Sequence, residues 1–201
     1  MANLIHNGSI AKSLGTIMKK KILFLILLLF SILSYGQNLI KGQIVDQYEN
    51  GFIADILINN QKIEVDFDTG KFEFETSQKN LEIDIKFQFY LNMKYQLKLN
   101  NKITDLGKIF LVTERFWLDG PKNGIISGKY KNGITKYKIE LKKWDFNGSS
   151  EYFNKRGELT QKIIYKKGKP KKILVRKNGE IKELKFEFNR KKRILTVPNN
   201  V

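Results

Sequence analysis

The chain is 201 residues long and carries 37 Lys and Arg against 20 Asp and Glu, a net charge of +17, with one histidine and no cysteine. The missing cysteine excludes disulfide staples, thiol nucleophiles, thiolate metal sites and a lipid-anchoring lipobox. Any fold must therefore hold through its hydrophobic core.

Residues 1–17 show no periodic pattern and read as an over-extended start ahead of Met18. Met18 is followed by Lys19, Lys20 and Lys21, the apolar run Ile22 to Leu33, and Ser34-Tyr35-Gly36. A basic n-region, a greasy h-region and a small-x-small end are the order of a secretory signal peptide. The run is roughly a dozen residues, short of the ~20 that cross a bilayer as a helix. Cleavage after Gly36 is the expectation, and a retained anchor is the alternative. Cleavage removes His6, the single histidine, and with it imidazole acid–base chemistry and the usual zinc and iron ligand sets. No cofactor is expected.

Charge divides the remainder. Residues 37–119 hold 10 Lys and Arg against 13 Asp and Glu, and residues 120–201 hold 23 against 7. Such a shift marks a candidate domain boundary, placed at Gly120-Pro121 after Phe116 and Trp117. The chain thus divides into 18–36 as signal peptide, 37–119 as a first module and 120–201 as a basic second one.

In residues 37–119 the pattern has period two. Short alternating runs at Ile40 to Val45, "ADILIN", "KIEVDF", "KFEFE", "LEIDIKFQFY", "KYQLKLN" and "KIFLV" are separated by Gly, Asn and Asp. Seven such runs predict an antiparallel β-sandwich. In "IEVDFDTGKFEFE", placing Val65, Phe67, Phe72 and Phe74 on one face sets Phe67 opposite Phe72, with Thr69-Gly70 at the centre of a two-residue turn and Asp68 facing Lys71. That register also sets Glu64 opposite Glu75 and Asp66 opposite Glu73, like-charge pairs that need compensation. Lysines from neighbouring strands are the plain compensators. The sharper readings are a calcium ion held by Glu64, Asp66, Glu73 and Glu75, or docking of the basic half onto this acidic face.

Asp68-Thr69-Gly70 resembles the catalytic tripeptide of pepsin-like and retroviral proteases, which would make Asp68, or its neighbour Asp66, part of a hydrolase. That chemistry needs a second carboxylate sharing a proton, and the sequence holds no second copy, so an identical subunit would have to supply it. Gly42-Gln43-Ile44-Val45-Asp46, Asp68-Thr69-Gly70-Lys71-Phe72 and Leu106-Gly107-Lys108-Ile109-Phe110-Leu111 together resemble the carboxypeptidase-regulatory-like, transthyretin-like sandwich over about residues 38–112. The resemblance implies a structural and adhesive module without catalytic residues.

From Gly120 onward, "YKNG", "YFNKRG", "YKKG" and "VRKNG" end hairpins, and Gly157, Gly168 and Gly179 recur at intervals of 11. Asn147-Gly148-Ser149 reads as an ordinary turn. "EYFNKRGELTQKIIYKKGKP" and its poorer copies are similar to the variant MORN repeat over about residues 123–190, which implies a β-hairpin sheet used as a binding surface for proteins or lipids. The whole is then all-β, a sandwich followed by a hairpin repeat sheet.

Cations concentrate at Lys166, Lys167, Lys169, Lys171, Lys172, Arg176, Lys177, Arg190, Lys191, Lys192 and Arg193. Lysine among aromatics can suit nucleic acid, but Leu184, Phe186 and Phe188 alternate with Lys185 and Glu187, so these aromatics face a core. A solvated surface is the plain reading of the cations. An anionic envelope partner such as lipopolysaccharide or acidic glycan is the functional one, and an exported protein meets little nucleic acid. The expected role is non-enzymatic binding or scaffolding in the bacterial envelope, with an envelope protein or anionic polymer as partner. Membrane association would come only through an uncleaved signal segment or anionic lipid.

Overall fold

The computed structural model describes residues 37–100, 102–114 and 121–198. The signal segment and the proposed boundary up to Gly120 lie outside them. Asn38–Val201 forms one compact unit, and its described residues are all-β. Seven strands precede the boundary: β1 (Asn38–Val45), β2 (Asp55–Ile58), β3 (Gln61–Ile63), β4 (Lys71–Thr76), β5 (Asn80–Lys86), β6 (Asn92–Lys98) and β7 (Ile103–Phe110). Eight follow it: β8 (Asn123–Lys129), β9 (Thr135–Lys142), β10 (Asp145–Phe153), β11 (Leu159–Lys166), β12 (Lys169–Lys177), β13 (Glu180–Leu184), β14 (Glu187–Asn189) and β15 (Ile194–Val197).

They form three sheets, ordered β4-β1-β7, β14-β15-β6-β5-β2-β3 and β13-β12-β11-β10-β9-β8. The first two share a sandwich-like core. Alternation puts Ile40 and Ile44 of β1, Ile56 and Ile58 of β2, Ile83 and Ile85 of β5 and Met93 of β6 at 1% exposure or less within one cluster. Two pairings depart from the antiparallel expectation. β1 runs parallel to β7, and β15 runs parallel to β6 with Ile194 beside Asn92 and Val197 beside Tyr95. The last strand of the basic half thus completes a sheet of the first half, and Leu195 and Val197 are buried in its core.

The predicted register of the Asp-Thr-Gly hairpin is overturned. β4 pairs with β1, from Asn38 opposite Thr76 to Gln43 opposite Lys71, whereas β3 pairs with β2 in the other sheet. The segment between them crosses from one sheet to the other. Period two reports which side of a strand is apolar, and two sheets facing one core satisfy it as well as one hairpin does. Phe67 is consequently 75% exposed rather than opposite Phe72. Glu73 faces Lys41 and Glu75 faces Leu39, so the two like-charge pairs do not form. Gly70 does take a positive φ, +70°. Its amide donates to the Asp66 carbonyl and its carbonyl accepts from the Ile44 amide, both at 2.8 Å.

The third sheet is an antiparallel meander whose predicted turns fall where glycine marks them. Asn147-Gly148-Ser149 is a correction: it lies inside β10, where the register against β9 shifts between Phe146 and Ser150. Gly148 takes φ +98° at this irregularity, which glycine permits without a turn. One face of the meander packs on the first half through a polar seam. Tyr165 Oη donates to the Thr113 carbonyl (2.9 Å), Gln161 Nε2 to the Leu111 carbonyl (3.2 Å) and Thr160 Oγ1 to the Gln47 carbonyl (2.6 Å). Tyr152 is fully buried there, edge-on to Tyr48 with ring centroids 5.9 Å apart.

Burial makes this seam sensitive to alkali. Desolvation pushes the phenols of Tyr48 and Tyr90 up to about 12, although Gln47 hydrogen bonding works in the opposite direction. Both are neutral in the fold and titrate near 10 in the unfolded chain. Their contribution to stability is therefore complete below about pH 10 and is lost as pH rises from there through about 12. Denaturant midpoints measured between about pH 8 and pH 12 should hold steady and then fall above about pH 10, in step with phenolate absorbance.

Candidate functional site

Asp66 and Asp68 both lie in an exposed turn. The Asp66 carboxylate accepts from the Thr69 hydroxyl (2.6 Å) and amide (2.8 Å), and these bonds hold it below the usual carboxylate range. It is an ionised turn former. A catalytic acid at neutral pH needs a raised value instead. Glu64 precedes this turn, while Glu73 and Glu75 lie on β4 in a different sheet. Among the described residues no group of three or more His, Cys, Asp or Glu is placed to hold a metal ion.

A cleft of about 490 Å³ lies over the outer face of β4-β1-β7 and is lined by both signs of charge, including Lys41, Glu73, Asp105 and Lys108. Lys108 pairs with Glu49 at 2.7 Å and Lys41 approaches Asp105 at 3.8 Å. Both pairs involve carboxylates other than the four candidates, and among the described residues no ion pair joins Glu64, Asp66, Glu73 or Glu75 to the basic half.

The basic candidates sort into two groups. Lys172 pairs with Glu183 (3.0 Å), Arg176 with Glu158 (3.0 Å) and Arg193 with Glu114. Lys177 stands at the other end of β12 and lines the cleft. Lys166, Lys167, Lys169, Lys171, Arg190, Lys191 and Lys192 are in no ion pair among the described residues, and the fold gathers them. Lys166 sits opposite Lys169 across the β11–β12 turn. Tyr165 is tied to Thr113, and the adjoining Glu114 is tied to Arg193, which draws the β14–β15 turn toward the β11–β12 turn. Arg190 first, then partial desolvation, then Lys171 and Lys167 together pull the Lys169 ammonium below its ordinary range. Two stretches some twenty residues apart in sequence form one cationic end.

A third turn at this end was not legible in the composition. Gly168 donates its amide to the Phe146 carbonyl (2.9 Å) and lies against the Asp145 carboxylate, so the β9–β10 turn adjoins the β11–β12 turn. Its two central residues are Lys143 and Trp144, at φ 55° and 61°. The sister turns Lys167-Gly168 and Asn178-Gly179 take the same left-handed shape but end on glycine. A tryptophan in that conformation costs on the order of 1–3 kcal/mol. Trp144 is nevertheless 65% exposed. The Lys122 ammonium lies 5.4 Å from its ring centroid, and Lys142 flanks the turn. The sequence signal was the break in alternation at Lys142-Lys143-Trp144-Asp145 without any glycine.

Comparison with family models, with curated proteins and with solved structures finds no match to this chain.

Proposed function

We propose that this chain is an exported, non-enzymatic binding or scaffolding protein of the bacterial envelope, and that it engages an anionic partner through its cationic end. One observation carries the reading. Lys166, Lys167, Lys169 and Arg190 converge from separate turns without an ion pair among the described residues, while Lys94, Lys108, Lys162, Lys172, Arg176 and Arg193 are each paired. Like charges brought together destabilise the fold, and an anion bound there removes the repulsion. The likeness to transthyretin-like and MORN-type modules, both of which serve as surfaces rather than as enzymes, agrees with this reading, as does the signal-peptide pattern.

The test is capture of tagged chain from Gln37 onward from gently opened cells, without cross-linking, washed at low and at high salt. An anionic polymer or lipid should be retained at low salt and released at high salt, because exposed charges are screened within about 8 Å at physiological ionic strength. The triple variant Lys167→Gln/Lys169→Gln/Arg190→Gln should lose it at both. Capture of the same material by the triple variant would overturn the reading.

A further inference from the structure

We infer that the Lys143–Trp144 turn, with the cations around it, is a docking tip for the surface of an anionic phospholipid bilayer. The inference rests on the anionic-partner reading above and names the partner's chemistry. Trp144 is the odd residue of its sheet. It occupies a left-handed turn position that the two sister turns give to glycine, and its indole stays 65% exposed. Packing inside the molecule therefore does not account for it. Around the indole stand Lys122, Lys142 and Lys143, with Lys167 on the adjoining turn and Arg190 beyond it. Asp145 is the carboxylate at this turn, and Glu114 is committed to Arg193.

The geometry favours a bilayer over a soluble polyanion. Lys143, Trp144 and Lys167 sit on the apices of two adjoining turns, with Lys122 and Lys142 at the strand ends beside them, so they stand at the tip of the sheet and not along its face. A planar charged surface accepts a tip. An indole is at home at the level of lipid headgroups, where its apolar ring is buried and its N–H stays wet, while lysines beside it meet phosphate.

The experiment is co-sedimentation of residues 38–201, which contain the whole described core, with vesicles of phosphatidylcholine alone or mixed with phosphatidylglycerol. Omitting the leader matters, because its apolar run would bind lipid by itself. Wild type should sediment only with the anionic vesicles, and in a Trp117→Phe background the Trp144 emission should shift to the blue on binding. Each cation removed in Lys143→Gln, Lys167→Gln or Arg190→Gln should weaken partitioning about fivefold. Trp144→Ala should weaken it by roughly tenfold or more and leave retention on an immobilised acidic polysaccharide unchanged. Thermal melts of Trp144→Ala at or above wild type verify that the fold survives.

If wild type holds the polysaccharide but ignores anionic vesicles, or if Trp144→Ala partitions like wild type, the bilayer inference falls while the anionic-partner reading stands. If wild type binds neither vesicle nor polysaccharide, both fall.

Discussion

Gly70→Ala is expected to destabilise the protein by about 2–5 kcal/mol, from ~1–2 for the left-handed backbone and ~1–3 for overpacking. A Cβ at this position would overlap the Ile44 carbonyl oxygen and stand 2.7 Å from the Phe52 amide nitrogen. Those atoms belong to one hydrogen-bonded backbone layer: Ile44 N–H donates to the Gly70 carbonyl at 2.8 Å, and Phe52 N–H donates to the Ile44 carbonyl at 3.0 Å. Backbone cannot step aside as a flexible side chain can. Gly179→Ala is the control, since it has a similar φ of +84° but no atom within 4 Å of the added carbon. It should cost only the left-handed term, about 1–2 kcal/mol. Denaturant melts of the two variants separate conformational cost from close packing. Equal melts would show that the turn relaxes and that the Asp-Thr-Gly segment is not wedged between β1 and Phe52.

That wedge explains why the tripeptide suggests a hairpin register that the fold does not adopt. Asp-Thr-Gly is a compact way to cross between two sheets: Asp66 closes an Asx-type turn on Thr69, and glycine lets two backbones touch. The protease likeness and the hairpin register both draw on those same residue types. Strand existence was legible because alternation is a property of one strand and its two faces. Strand partnership was not, because it depends on which sheet receives the apolar face. The parallel pairing of β15 with β6 is the extreme case, with about a hundred residues between the partners.

The candidate site shows the same division. The cations were visible as composition, and the glycine-marked turns that carry most of them were visible as period. Their convergence was not, because it depends on Tyr165 reaching Thr113 and Arg193 reaching Glu114 across two sheets. Trp144 escaped notice because turn chemistry is recognised by glycine and asparagine. A turn that uses neither leaves only a break in alternation. Sites that depart from local rules are where function is most to be sought.

The second large effect concerns the charge boundary. Residues 37–119 expressed alone should fail to form a stable fold, and so should 120–201. Without β15, β6 loses its parallel partner and becomes an open edge, a template for aggregation. The core also loses Leu195 and Val197, each worth about 1.5–3 kcal/mol when buried. The meander in turn loses its cover: Ile163 and Tyr152, fully buried in the whole protein, would meet water, and Thr160 and Gln161 would lose the Gln47 and Leu111 carbonyls that accept from them. Together these losses approach the 5–15 kcal/mol that stabilises a typical domain. Co-expression of the two pieces should instead yield a soluble complex that co-elutes on gel filtration and melts as one unit. Neutralising Glu64, Asp66, Glu73 and Glu75 should leave that complex intact, because apolar side chains, neutral hydrogen bonds and the Glu114–Arg193 pair join the halves and none of the four carboxylates takes part. A 37–119 fragment that melts cooperatively alone would show that β15 is an accessory to a self-sufficient sandwich, and loss of the complex on neutralisation would restore charge as what joins the halves.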